Sequence, residues 1–154
     1  MRRRTMLFMT VAGTVALAGG LPFLIPRPNA NAAEIAVYKD PNCGCCGQWV
    51  AHLRAAGFSV KVHDATDIVR IKREAGIPDH LQSCHTAMID GYVIEGHVPA
   101  ADIERLLSER PAARGLAVPG MPVGSPGMEQ GAMRDPYDVI LFQEDGTGTI
   151  FARY

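Results

Sequence analysis

Three cysteines, Cys43, Cys45 and Cys46, fall within four residues, and a fourth, Cys84, lies 38 positions beyond the last of them. The cluster follows a stretch that reads as a strand and precedes one that reads as a helix. At such a junction the free backbone N–H groups and the helix dipole favour thiolates. Cys43 and Cys46 alone form a C-x-x-C pair suited to thiol–disulfide exchange. Cys45 changes that reading, because three thiolates on one turn repel one another unless protons, a disulfide or a soft cation compensates them. Cu(I) is such a cation, preferring thiolate and thioether ligands. The competing arrangement is two disulfides, since four is an even number. Adjacent Cys45 and Cys46 bridge poorly, but Cys43–Cys46 with Cys45–Cys84 can form, and spacing alone leaves the pairing open.

Other soft or borderline ligands surround these thiols in the sequence. His85 follows Cys84 directly in Ser83-Cys84-His85-Thr86, and His97 stands in the Gly/Pro-framed segment Glu95-Gly96-His97-Val98-Pro99. His52, His63 and His80 lack such settings and read as ordinary surface or core residues. Met121 and Met128 occur in two Pro-Gly-Met units seven residues apart, in a loop where no helical stripe explains them. Thioethers on a loop are poor core material but good Cu(I) ligands. Zinc also accepts Cys and His, yet its structural sites use separated hooks rather than one crowded hook, and methionine suits it badly. Copper is the better match to this ligand set.

The elements that must position these residues follow from pattern. Residues 34–39 and 58–63 read as strands, and 48–56 as a helix with Trp49, Val50 and Leu53 on its apolar stripe. A second helix spans 68–75. Strands at 86–90 and 92–94 meet at Asp90-Gly91, a hairpin signal. Pro99 opens a third helix, 99–109, with Ile103, Leu106 and Leu107 on one face. Residues 114–134 form a Gly/Pro/Met-rich loop, and 139–143 with 147–153 a closing hairpin. Met88 alternates into a strand and reads as core. The order predicts an α/β fold, a thioredoxin-like three-layer sandwich with an appended C-terminal β-hairpin.

The chain has 154 residues, 47% of them hydrophobic and 20% charged, as expected for one domain plus an extension. The extension is N-terminal. Arg2, Arg3 and Arg4 precede an apolar run, a breaker-rich stretch and Ala30-Asn31-Ala32-Ala33, the pattern of an export signal cleaved near Ala32/Ala33. The run is too short, and too rich in Gly and Thr, for a permanent membrane span. Arg3-Arg4-Thr5-Met6-Leu7 also resembles a twin-arginine signal, so both export routes stay open. The division expected is therefore 1–32 as signal and 33–154 as the exported domain. Removing the signal leaves 11 basic against 16 acidic groups, a formal charge of −5 without a basic stripe, which excludes nucleic acid as a natural partner.

Taken together, Tyr38-Lys39-Asp40-Pro41-Asn42-Cys43-Gly44-Cys45-Cys46, the Ser83–Thr86 segment, Gly91-Tyr92-Val93-Ile94-Glu95-Gly96-His97-Val98-Pro99 and Gly120-Met121-Pro122-Val123-Gly124-Ser125-Pro126-Gly127-Met128 resemble the CopG-type copper-resistance family, long catalogued as a domain of unknown function. The resemblance runs from about residue 34 to the C-terminus. It implies a periplasmic, thioredoxin-like protein whose Cys-x-Cys-Cys motif binds copper, including as a multinuclear redox-active cluster. Cys43, Cys45, Cys46 and Cys84 carry over as ligands, His97 and Met121 less firmly, with His85 and Met128 as further candidates. The leading functional expectation is a protein that sequesters or relays Cu(I) toward periplasmic copper-efflux or copper-oxidising proteins. A site that cycles copper between oxidation states is a second, enzyme-like expectation. A thiol–disulfide oxidoreductase using Cys43 and Cys46 is the alternative, though it has no need of Cys45, Cys84 or the methionines.

Overall fold

The computed structural model describes residues 34–154; the expected signal segment lies outside them. Seven strands form one mixed sheet in the order β2-β1-β3-β4-β5-β6-β7. Strand β1 (Glu34–Lys39) leads through α1 (Gly44–Ala55) to β2 (Ser59–Asp64), which pairs with it in parallel. Helix α2 (Ile68–Glu74) and a 3-10 turn (Asp79–Leu81) then cross to β3 (His85–Ile89), antiparallel to β1 on its other side. A tight turn at Asp90-Gly91 joins β3 to β4 (Tyr92–Glu95). Helix α3 (Ala100–Glu109) crosses to β5 (Gly115–Ala117), parallel to β4, and β6 (Asp138–Phe142) with β7 (Gly148–Arg153) closes the far edge. The α/β class and the appended hairpin are those expected from sequence.

Alternation along the strands divides the apolar residues between two cores. Ile35, Val37, Ala87, Ile89, Ile94 and Leu116 face α1 and α3, meeting Trp49, Val50, Leu53, Ile103 and Leu106. Val93, Ala117 and Phe142 point to the opposite face, where Ala75, Ile77 and Leu81 cover them and Met88 packs alongside.

Two elements differ from the sequence expectation. Helix α1 begins at Gly44, not at 48, with Cys43 as its N-cap. Its buried stripe is Cys46, Trp49, Val50 and Leu53, an i, i+3, i+4, i+7 series in which a cysteine takes the first place. The glycines on either side of the cysteines hid that start. The three-residue β5 was likewise concealed in the segment read as a loop.

Candidate metal centre

The turn before α1 sets the first three thiols. Asp40 Oδ1 accepts from Asn42 N at 2.7 Å, and Asp40 O accepts from Cys43 N at 3.1 Å. The chain is thereby folded back, and Cys43, Cys45 and Cys46 occupy the N-cap and first turn of the helix. Cys84 arrives from the other side, immediately before β3. All four sulfurs lie within 4.8 Å of one another. Cys43 and Cys46 are joined by a disulfide, whereas Cys45 and Cys84 are free thiols. Cys45 Sγ stands 3.4 Å from Cys43 Sγ and 3.9 Å from Cys84 Sγ. Of the two disulfides weighed from sequence, the first is present and the second pair is close but unbonded.

Cys84 also belongs to a second group, with His85 and His97. Its sulfur is 3.1 Å from His97 Nε2 and 3.2 Å from His85 Nδ1. His97 Nδ1 lies 2.8 Å from the Pro126 carbonyl, which can only accept, so Nδ1 carries the proton and Nε2 presents its lone pair to Cys84. His85 is fully buried, packed against Trp49 with ring centroids 4.3 Å apart, and its Nε2 has no hydrogen-bond partner. Burial lowers the pKa of both histidines; for His85 the neighbouring His97 and Lys72 push it further down. Both rings are held as neutral imidazoles, the form that binds metals. Burial, then the neighbouring Cys45, pushes the Cys84 thiol up to about 12. It is a protonated thiol wedged between two imidazoles, and a soft cation replacing its proton would meet sulfur and nitrogen donors at once.

The Pro-Gly-Met loop forms the rim. Gly127 has φ +84°, and a Cβ there would lie 2.7 Å from Trp49 N and 2.9 Å from Cys45 O, so only glycine lets the loop press against the first turn of α1. The half-buried Met128 follows it, and Gly127 N donates to Glu129 Oε2 at 2.8 Å. Met121 is 53% exposed, beside Gly120, whose carbonyl accepts from Ser83 Oγ and whose N–H donates to Gln82 O at 3.1 Å. Both methionines are thus tethered to segments that carry a cysteine. Gly127→Ala is expected to lift the loop from α1 and to weaken the hold of these thiols on a soft cation about tenfold, a change typical of disturbed outer contacts, measured by chelator competition.

His52 Nε2 accepts from Ala100 N at 3.0 Å and so caps the start of α3, while His63 stacks on Tyr38 with centroids 4.9 Å apart.

A set of residues escaped the sequence reading. Glu95 is fully buried in β4, and its Oε1 accepts from Lys72 Nζ at 2.5 Å and from Ser83 N at 2.6 Å. Its Oε2 accepts from Thr86 Oγ1 at 2.7 Å, and Lys72 Nζ also donates to Thr86 Oγ1 at 3.1 Å. Burial raises the Glu95 pKa while Lys72, Thr86 and Ser83 oppose the rise. This network ties α2 and β4 to the backbone just before Cys84. The available clue was a carboxylate inside the apolar run Tyr92-Val93-Ile94-Glu95; its lysine partner, 23 positions away, left no local mark.

Residues 81–128 match the family model described as "Protein of unknown function, DUF411". Two solved structures resemble the chain over 79% of its length. "Copper resistance protein copG- Form 2" is 49% identical, is covered over 98% of its own length and superposes with a TM-score of 0.76. "Copper resistance protein copG- Form 1" is 50% identical, covered over 96%, with a TM-score of 0.75. No curated protein matches the chain. Half the residues are shared across nearly the whole of both structures, over a sheet that gathers every cysteine at one helix end, and the chain therefore belongs to the CopG-type copper-resistance family.

Proposed function

We propose that the reduced chain binds Cu(I) through Cys43, Cys45, Cys46, Cys84 and His97, with His85, Met121 and Met128 as further ligands, and so sequesters or relays copper in the periplasm. The observation that carries this reading is the position of Cys84. Its sulfur belongs both to the four-thiol group and to the thiol–diimidazole group, so it can bridge ions held in each. That sharing favours more than one copper per chain. The names of the two similar structures, each a copper resistance protein, support copper as the cargo.

The donor set suits the ion in kind as well as in place. A disulfide sulfur is a poor ligand, so the Cys43–Cys46 bond must be reduced before all four sulfurs can serve. Reduction would release two thiols and bring the total to four around the positive end of α1, where bound cations neutralise their mutual repulsion. His85 Nε2, buried without a hydrogen-bond partner, is a cost of roughly 1–3 kcal/mol that structure alone does not offset. Residues 1–32 act as the export signal in this reading, by either route, and 33–154 as the exported copper domain. Among the described residues no helix is long and apolar enough to cross a membrane. Periplasmic copper-efflux or copper-oxidising proteins are the partners such a carrier would serve.

Anaerobic titration of the fully reduced protein with Cu(I), followed by metal analysis after desalting, should retain at least one copper per chain. Retention of a small fraction of one copper would overturn the assignment. The observed Cys43–Cys46 disulfide favours a second reading, thiol–disulfide oxidoreduction, in which Cys43 and Cys46 alone are needed. Cys45→Ser separates the two: it should impair copper retention and leave reduction of a disulfide substrate intact if both activities exist.

A further inference from the structure

The disulfide and the two thiols are arranged for more than storage. Cys45 Sγ is in contact with Cys43 Sγ at 3.4 Å and approaches Cys84 Sγ at 3.9 Å, so a free thiol stands between a disulfide and a second thiol. We propose that the chain carries an internal disulfide relay, in which the single disulfide migrates from Cys43–Cys46 to Cys45–Cys84 and back. This relay needs no copper and stands independently of the metal reading.

The chemistry closes on the chain itself. Cys45 sulfur, as thiolate, attacks Cys43 Sγ; the Cys43–Cys46 bond breaks, and Cys46 leaves with the electron pair and takes up the proton that Cys45 gave up. Cys84 sulfur then attacks Cys45 Sγ; the Cys43–Cys45 bond breaks, and Cys43 leaves as a thiol with the proton from Cys84. One S–S bond is exchanged for another, the number of thiols stays at two, and no outside oxidant or reductant is consumed.

The surroundings direct the first step and accommodate the intermediate. Cys43 is the accessible sulfur of the pair, whereas Cys46 is fully buried on the core stripe of α1, which directs attack to Cys43. The intermediate closes a ring across Gly44, where a Cβ would meet nothing within 4 Å and the backbone has glycine's freedom to bend. In the final isomer α1 is covalently joined to the residue before β3, against the histidine pocket, and the C-x-x-C pair is returned to the dithiol state at the helix end. The relay therefore moves an oxidising equivalent between the accessible helix end and the imidazole-lined interior.

The test uses the full exported domain, metal-free and with a Cu(I) and Cu(II) chelator present, dilute enough to prevent exchange between molecules. Protein oxidised by one equivalent of diamide is acid-quenched at successive times, alkylated with a maleimide and mapped by mass spectrometry. The expected result is that protein linked Cys45–Cys84 appears beside protein linked Cys43–Cys46 while the thiol count stays at two. In Cys84→Ser the second step lacks its nucleophile, and a Cys43–Cys45 linkage should be trapped. Cys43–Cys46 as the sole linkage at every time in the wild type overturns the relay, and so does absence of Cys43–Cys45 in Cys84→Ser.

Discussion

Cys84→Ser is expected to lower Cu(I) affinity by more than about hundredfold, beyond what loss of an outer hydrogen-bond partner costs a metal site. Cys45 and Cys46 share one helical turn with Cys43, and loss of one of these leaves a neighbour of the same kind nearby. Cys84 has no such neighbour. It is the sulfur common to the four-thiol group and to the group with His85 and His97, so its removal detaches the imidazoles from the thiols. Serine keeps the shape and the hydrogen bond to His97 Nε2 but supplies a hard oxygen, which Cu(I) disfavours. The thiol's pKa of about 12 also makes a second expectation. Copper displaces a proton that neutral solution leaves on Cys84, so wild-type affinity should rise with pH by about tenfold per unit for each proton released. In Cys84→Ser that contribution disappears, and the slope of log affinity against pH should fall by about one. Chelator competition across pH measures both. An unchanged slope would show that Cys84 does not bind copper as a thiolate.

Much of this candidate site could be read from the chain because its cysteines and histidines advertise themselves by adjacency. Cys43, Cys45 and Cys46 are consecutive or nearly so, His85 touches Cys84 in sequence, and glycine and proline frame His97. Layout was legible for the same local reason: β1 and β2 alternate, the Asp90-Gly91 turn marks the β3–β4 hairpin, and α3 carries its apolar face at helical spacing. What could not be read depends on contacts between distant segments. The start of α1 at Gly44 lacks any periodic mark, since Gly44 and Gly47 surround the cysteines and the stripe begins with Cys46 itself. Strand β5 is three residues long and exists because β4 and β6 hold it on either side. The tautomer of His97 depends on the carbonyl of Pro126, 29 positions away. Which cysteines pair was left open by spacing, and the pairing seen depends on the helix placing Cys43 one turn before Cys46.

The buried Lys72–Glu95 pair leads to the largest expected loss of stability. Glu95→Leu leaves the Lys72 ammonium buried with one hydroxyl for company, and breaking a buried pair from one side costs about 3–5 kcal/mol. For a domain of this size that corresponds to a melting temperature lower by roughly 10–20 °C. Lys72→Met should cost less, because the remaining carboxyl escapes its penalty by taking up a proton. Its folded-state pKa then stands above the unfolded value, so the native state binds more protons and stability rises as pH falls through the raised value toward the ordinary glutamate range. The double variant Lys72→Met/Glu95→Leu removes both charges and should recover most of the lost stability, since apolar replacements for a buried pair are often neutral or better. Copper affinity should behave differently. Glu95 also accepts from Ser83 N, one residue before Cys84, and lies two residues before His97. The double variant cannot restore that hydrogen bond, and its Cu(I) affinity should stay about 10- to 100-fold below wild type although its melting temperature returns. Calorimetry and chelator competition on the same three variants separate the two effects: recovery of both together would make the pair a structural support alone, whereas recovered stability with weakened binding shows that Glu95 holds Cys84 and His97 in register.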